Sequence, residues 1–236
     1  DLSYQYAKAI GEECRAGGIE VLLGPGLNIY RQSQCARNFE YFGEDPYLVS
    51  QMVSQYVTGL QSTGTAACLK HFYGNNTEFY RKRSNSIISE RAMNEIYLPG
   101  FKAGIDAGAM SVMTSYNQID GEWAGQSSYV IKNILREKLG FKWLVMSDWN
   151  SVWNLEKVIK SGQNLEMPGS YNFGESVLGL YHQKKITEKD LDDMVMHHDI
   201  VIIEGSGGII CPLRDGENMI MLSDVMNLAK FPLIIV

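Results

Sequence analysis

The sequence predicts an α/β fold: a partial (β/α)8 barrel followed by a fragment of a second parallel α/β sheet. Three observations predict it. Helix-like and strand-like runs alternate along residues 1–196, the pattern of a parallel sheet covered by helices. Four apolar runs in succession end in polar clusters, and in such sheets ligands gather at the carboxyl ends of the strands. A doubly wound sheet shows the same alternation but loads one crevice, so the succession of loaded strand ends favours a TIM-type barrel. The third observation is a change of texture near residue 197, where a helix gives way to a buried strand and a Gly-rich loop.

The elements follow in order. Ala7 to Arg15 reads as a helix, and Gly18 to Leu23 as a strand ending at Gly24-Pro25-Gly26. Tyr47 to Leu60 is the next helix, and Thr65 to Leu69 a strand that ends at Lys70-His71. A long helix runs from Ser89 to Ala107, and Met110 to Met113 is a strand ending at Thr114-Ser115-Tyr116-Asn117. Val130 to Leu139 is a helix stopped by Gly140, a residue suited to a helix C-terminus. Strand 143–147 delivers Asp148, a helix near Val152 to Ser161 follows, and Asn164 to Met167 makes a short fifth strand. Ile186 to Met196 starts as a helix with Thr187 at its N-cap and breaks off at His197-His198. Asp199 to Ile203 is a buried strand ending in Glu204-Gly205-Ser206-Gly207-Gly208. The chain stops within another strand, Leu233 to Val236, which predicts a cut C-terminus.

The 236 residues, 45% of them apolar, are enough for a substantial core. A net charge of −6 argues against nucleic-acid partners, which need a basic face. No apolar run approaches the roughly 18 residues of a membrane span, and the N-terminus is no signal peptide. The cysteines Cys14, Cys35, Cys68 and Cys211 form no CxxC pair, so neither a metal nor a disulfide framework is expected. A reduced, cytoplasmic setting follows from that usage. Asn75-Asn76-Thr77 matches a glycosylation sequon, a short match that arises readily by accident.

Asp148 is the strongest candidate for chemistry. It ends the run Trp143-Leu144-Val145-Met146 in the sequence Ser147-Asp148-Trp149. A carboxylate there can attack a sugar, while Trp149 covers the apolar face of the ring; a core-filling role competes for Trp149. Arg37 lies in the polar stretch Arg37 to Pro46, where hydrogen bonding to sugar hydroxyls competes with an ion pair to Glu40, Glu44 or Asp45. Glu40 and Asp45 suit loop scaffolding. Lys70 and His71 at a strand exit can both reach a ligand, and Arg81 is the best candidate in the loop after them. Tyr116 either orients Asp148 or buries its hydroxyl on a carbonyl. Met113 is core by preference and can also floor the pocket.

These clusters, in this order, resemble glycoside hydrolase family 3, the group that includes β-glucosidases and β-xylosidases. The resemblance runs over about residues 1–196. It includes Leu23 to Ile29, Arg37 to Pro46, Lys70-His71-Phe72, Asn75 to Glu78, Ser89-Glu90-Arg91, Glu95 to Leu98, Met113 to Asn117, Leu135-Arg136, Gly140-Phe141 and Val145 to Trp149. It implies retaining hydrolysis of a small carbohydrate substrate without a cofactor. Asp148 matches the nucleophile; Arg37, Lys70, His71 and Tyr116 match residues that hold the sugar, with Trp149 as the neighbouring aromatic. Ala36 stands where Gly is usual, and Asp120 where Asn is usual. The resemblance places the acid/base in a second domain after the barrel, and an Asp that grips sugar hydroxyls ahead of Asp1; nothing here matches either. Residues 197–236 resemble a fragment of dethiobiotin synthetase, an ATP- and Mg²⁺-dependent ligase in which the residue matching Glu204 helps hold the metal. No phosphate-binding G-x-x-x-x-G-K-[ST] loop accompanies it. Two further functions therefore stand beside the glycosidase: a fragment of that ligase, and a carbohydrate-binding remnant without turnover.

Overall fold

The computed structural model describes residues 2–168 and 175–190. Four parallel strands form the main sheet: β1 (Val21–Leu22), β2 (Ala66–Phe72), β4 (Ser111–Thr114) and β7 (Leu144–Met146). They stand in the order β1-β2-β4-β7. Strand order therefore follows chain order with no reversal, unlike a doubly wound sheet. A further parallel bridge, Met146 to Leu165, extends β7 on its other side. The expected fifth strand is thus a single bridge. A small second sheet, absent from the sequence reading, joins β3 (Asn85–Ser86), β5 (Gln118–Ile119) and β6 (Glu122–Trp123). Two-residue strands carry too little alternation to stand out in sequence.

Helices connect the strands. α1 (Leu2–Ala16) packs on α2 (Pro46–Gln61), which packs in turn on α4 (Leu98–Asp106). Gly59 permits the first contact, because a Cβ there would lie 2.3 Å from the Tyr4 carbonyl oxygen. Asp45 caps α2 by accepting the Tyr47 N–H, and Pro46 follows at the first turn. The predicted long helix is a continuous run of α3 (Glu90–Ala92), a π-helical segment Met93–Tyr97 and α4. Ser89 caps its start. Residues Tyr129–Lys138 are also π-helical, and no propensity rule marks the wider hydrogen-bond register. α5 (Leu155–Ser161) starts three residues later than expected, because the Asn154 side chain caps it. The Trp153 and Asn154 N–H groups are held instead by Gln126 Oε1. α6 (Glu175–His182) has no counterpart in the sequence reading. Thr187 does cap the next turn, its hydroxyl accepting from the Asp190 N–H while the Asp190 carboxylate returns to the Thr187 N–H. The expected strands beyond residue 197 lie outside the described residues.

Side chains on the main strands alternate between two apolar layers. Ala67, Leu69, Val112 and Val145 join the large core under the helices. Cys68, Met113 and Met146 face the opposite layer, with Met167. Both faces are buried, which explains why these strands read as continuous apolar runs.

Candidate active site

The carboxyl ends of the main strands converge on Asp148. β7 ends at Met146, and the turn beyond it is tied down on several sides. Ser147 Oγ accepts the Met167 N–H, Asn150 N–H reaches the Met167 carbonyl, and Ser151 Oγ donates to the Asp148 carbonyl. The Asp148 side chain is 8% exposed. Its Oδ1 accepts the Trp149 N–H at 2.7 Å. Its Oδ2 is buried with no hydrogen-bond partner among the described residues. Burial pushes the Asp148 carboxyl above its ordinary range, while the Trp149 N–H, the Tyr116 hydroxyl and the fields of Arg37 and Arg81 pull it back.

His71 and Lys70 lie inside β2, not beyond its end as the sequence suggested. A register shift in the pairing of β2 with β4 falls between Leu69 and Phe72. Such a bulge re-aims side chains, and both residues turn to the same site. His71 Nε2 stands 3.6 Å from Asp148 Oδ2, and Lys70 Nζ stands 3.2 Å from Glu40 Oε2. His71 is held well below its ordinary pKa by burial, reinforced by Arg37, Lys70 and Arg81.

A chain of alternating charges surrounds them. Arg37 Nε bonds Glu40, and Arg37 Nη1 is 4.0 Å from Glu78. Glu78 bonds Arg81 and accepts from Asn75 Nδ2 at 2.9 Å. The Arg81 guanidinium lies 4.0 Å over the Tyr116 ring, a cation–π contact. Burial alone would raise the Glu40 pKa, but Arg37 and Lys70 hold it below the usual carboxylate range. The Arg37 ion pair weighed in the sequence is therefore real, and its field still reaches Asp148. Tyr116 is buried, and burial beside Asp148 pushes its hydroxyl up to about 12. Trp149 is 39% exposed, which removes the core-filling alternative. Met113 packs in the interior layer with Cys68, Met146 and Met167. Asp45 is the α2 cap described above.

The model for the glycosyl hydrolase family 3 N terminal domain matches residues 1–197. The chain belongs to glycosyl hydrolase family 3. Thermostable beta-glucosidase B of Acetivibrio thermocellus is 37% identical over 197 residues, 83% of this chain and 26% of that protein. Beta-glucosidase BoGH3A of Bacteroides ovatus is 43% identical over 174 residues, 73% of this chain and 23% of that protein. Beta-glucosidase 3B of Thermotoga neapolitana, solved in complex with glucose, superposes with a TM-score of 0.77 at 39% identity. That match covers 84% of this chain and 29% of the neighbour. The chain thus spans about a quarter of the length of the curated relatives it matches.

Two residues of this family 3 chain escaped the sequence reading. Asn28 is buried between Leu27 and Ile29 and pairs with the His71 backbone. The signal was a lone amide in an apolar run after Gly24-Pro25-Gly26, since a buried polar group needs partners. Tyr41 Oη lies 3.3 Å from His71 Nδ1. Gly26 makes room for it, because a Cβ there would meet the Tyr41 ring at 2.6 Å. Among the described residues, no group of three or more His, Cys, Asp or Glu could hold a metal ion, and no helix is long and apolar enough to cross a membrane. Glu204 and the synthetase-like segment lie outside the described residues.

Proposed function

We propose that this chain carries the nucleophile of a retaining glycoside hydrolase that acts on β-glucosides or related glycosides. One observation carries the proposal. Asp148 is buried at a strand end with one oxygen unpartnered, whereas the neighbouring carboxylates Glu40 and Glu78 are bound by cations. Asp148 Oδ2 attacks the anomeric carbon, the bond to the leaving oxygen breaks, and a glycosyl ester forms. Water then cleaves that ester. Arg37, Lys70, His71, Arg81 and Tyr116 hold the sugar, Trp149 stacks on it, and Met113 floors the pocket. Retention needs a second carboxyl about 5–5.5 Å away to protonate the leaving group. Glu40, held below the ordinary carboxylate range, is a poor donor, and this reading takes the group from the second domain that the family resemblance implies.

The unreversed strand order and the apolar inner layer support a partial (β/α)8 barrel over residues 1–196. Residues 197–236 form a separate dethiobiotin-synthetase-like fragment in this proposal, on sequence resemblance alone.

A substrate whose leaving group departs without an acid tests the chemistry in the chain itself. On 2,4-dinitrophenyl β-glucoside, Asp148→Asn should lower turnover on the order of 10⁴-fold, the scale of losing one member of a covalent catalytic set. Equal rates in the two proteins would remove Asp148 from the mechanism. Tight glucose binding with no turnover in either would favour a carbohydrate-binding remnant.

A further inference from the structure

Asn28 and His71 form a closed pairing that the chemistry above does not use. The His71 backbone N–H donates to Asn28 Oδ1 at 3.0 Å, and Asn28 Nδ2 donates to the His71 carbonyl at 3.1 Å. Two opposed bonds determine which end of the amide is oxygen. That oxygen also stands 3.2 Å from His71 Nδ1. An amide oxygen accepts and cannot donate, so this contact is a hydrogen bond only when Nδ1 carries the proton. Tyr41 Oη, 3.3 Å from the same nitrogen, can accept that proton as well. The ring is neutral because burial disfavours its charge and Arg37, Lys70 and Arg81 add to that. A neutral imidazole has one N–H, so Nε2 is left as a bare acceptor. It faces Asp148 Oδ2 at 3.6 Å, a second acceptor with no hydrogen-bond partner among the described residues. The gap between them is a place for a donor.

We propose that Asn28 is a positioning residue that locks His71 in its Nδ1–H tautomer, so that His71 receives a hydrogen bond from a sugar hydroxyl instead of giving one. The identity of the donor as a sugar hydroxyl rests on the function proposed above; the tautomer does not. The device also explains why an amide, and not an aliphatic side chain, sits between Leu27 and Ile29, since both neighbours are buried and apolar.

Nitrogen-15 NMR of the histidine rings reads the tautomer directly. The chain has four histidines. Replacing His182, His197 and His198 by Gln leaves His71 as the sole signal. The expected spectrum shows a protonated Nδ1 and an Nε2 far downfield, where unprotonated ring nitrogens resonate. In Asn28→Ala the ring should shift toward the Nε2–H form. A protonated Nε2 with asparagine in place overturns the proposal, and so does an unchanged tautomer in Asn28→Ala. The first spectrum decides even where Asn28→Ala fails to fold. No sugar is added, so failure of the proposed reaction at Asp148 would leave this spectrum unchanged, and the two failures are told apart.

Discussion

Lys70 Nζ lies 3.2 Å from Glu40 Oε2, so the bulged strand β2 is tied to the turn Asn38–Glu40 that follows β1. The same carboxylate bonds Arg37. One acidic residue thus holds two cations beside Asp148. The tie orients Lys70, and the fields of Arg37 and Arg81 still reach Asp148.

In the proposed function Lys70 and His71 both hold the sugar. Lys70→Ala and His71→Ala should each weaken glucose affinity by about 1–3 kcal/mol, the usual cost of losing a buried polar partner. Calorimetric titration with glucose checks it. Unchanged affinity in both variants would mean that the pair is structural.

The acidity of Asp148 gives a second expectation. Its raised pKa reflects burial opposed by Arg37 and Arg81. The nucleophile acts only when ionised, so the rate of covalent capture at Asp148 should fall on acidification at a pH above the ordinary aspartate range. Arg81→Met removes a positive charge and leaves Glu78 less neutralised, and both changes disfavour the ionised form. The midpoint of the acid limb should therefore move to higher pH. A midpoint that stays put or moves down would contradict the assigned electrostatics.

The same shift bears on stability. A carboxyl whose pKa is raised by folding destabilises the fold when it is ionised, and the penalty is present above the folded pKa. It disappears as the pH falls below the unfolded value, near 3.8. Asp148→Asn should therefore melt at a higher temperature near neutral pH, and the difference should close toward pH 3.8. A variant that melts lower at neutral pH would count against a strained, functional carboxylate.

Much of this was legible in the sequence. The main strands were visible because both their faces are buried, so Leu69, Val112 and Val145 alternate with Cys68, Met113 and Met146 without a polar break. Asp148 and Trp149 were visible because they end such a run. The place of Lys70 and His71 within β2 was not, since the register shift that turns both to one site depends on the partner strand. Asn28 was hidden for a related reason. Its significance comes from contacts with His71, 43 positions away in the chain. Glu40 could be suspected as scaffolding and as a partner of Arg37, but its second cation, Lys70, needed the fold.

Ala36 gives a prediction about the backbone. Its φ is 68°, in the left-handed region that L-alanine adopts at a cost and glycine does not. The departure noted in the sequence, an alanine where glycine is usual, therefore carries a penalty here. Ala36→Gly should stabilise the fold by about 0.5–1 kcal/mol, a rise of roughly 1–4 °C in melting temperature. A lower melting temperature would show that Ala36 does not adopt this conformation.

The most direct test of the central claim is covalent capture. Incubate the chain with 2,4-dinitrophenyl 2-deoxy-2-fluoro-β-D-glucoside, whose leaving group needs no acid and whose fluorine slows hydrolysis of the ester. Digest the protein and locate the adduct by mass spectrometry. The expected result is one fluoroglucosyl group on the peptide that contains Asp148, absent in Asp148→Asn. A folded, glucose-binding protein that gains no label, or gains it at another residue, would contradict the assignment of Asp148 as the nucleophile.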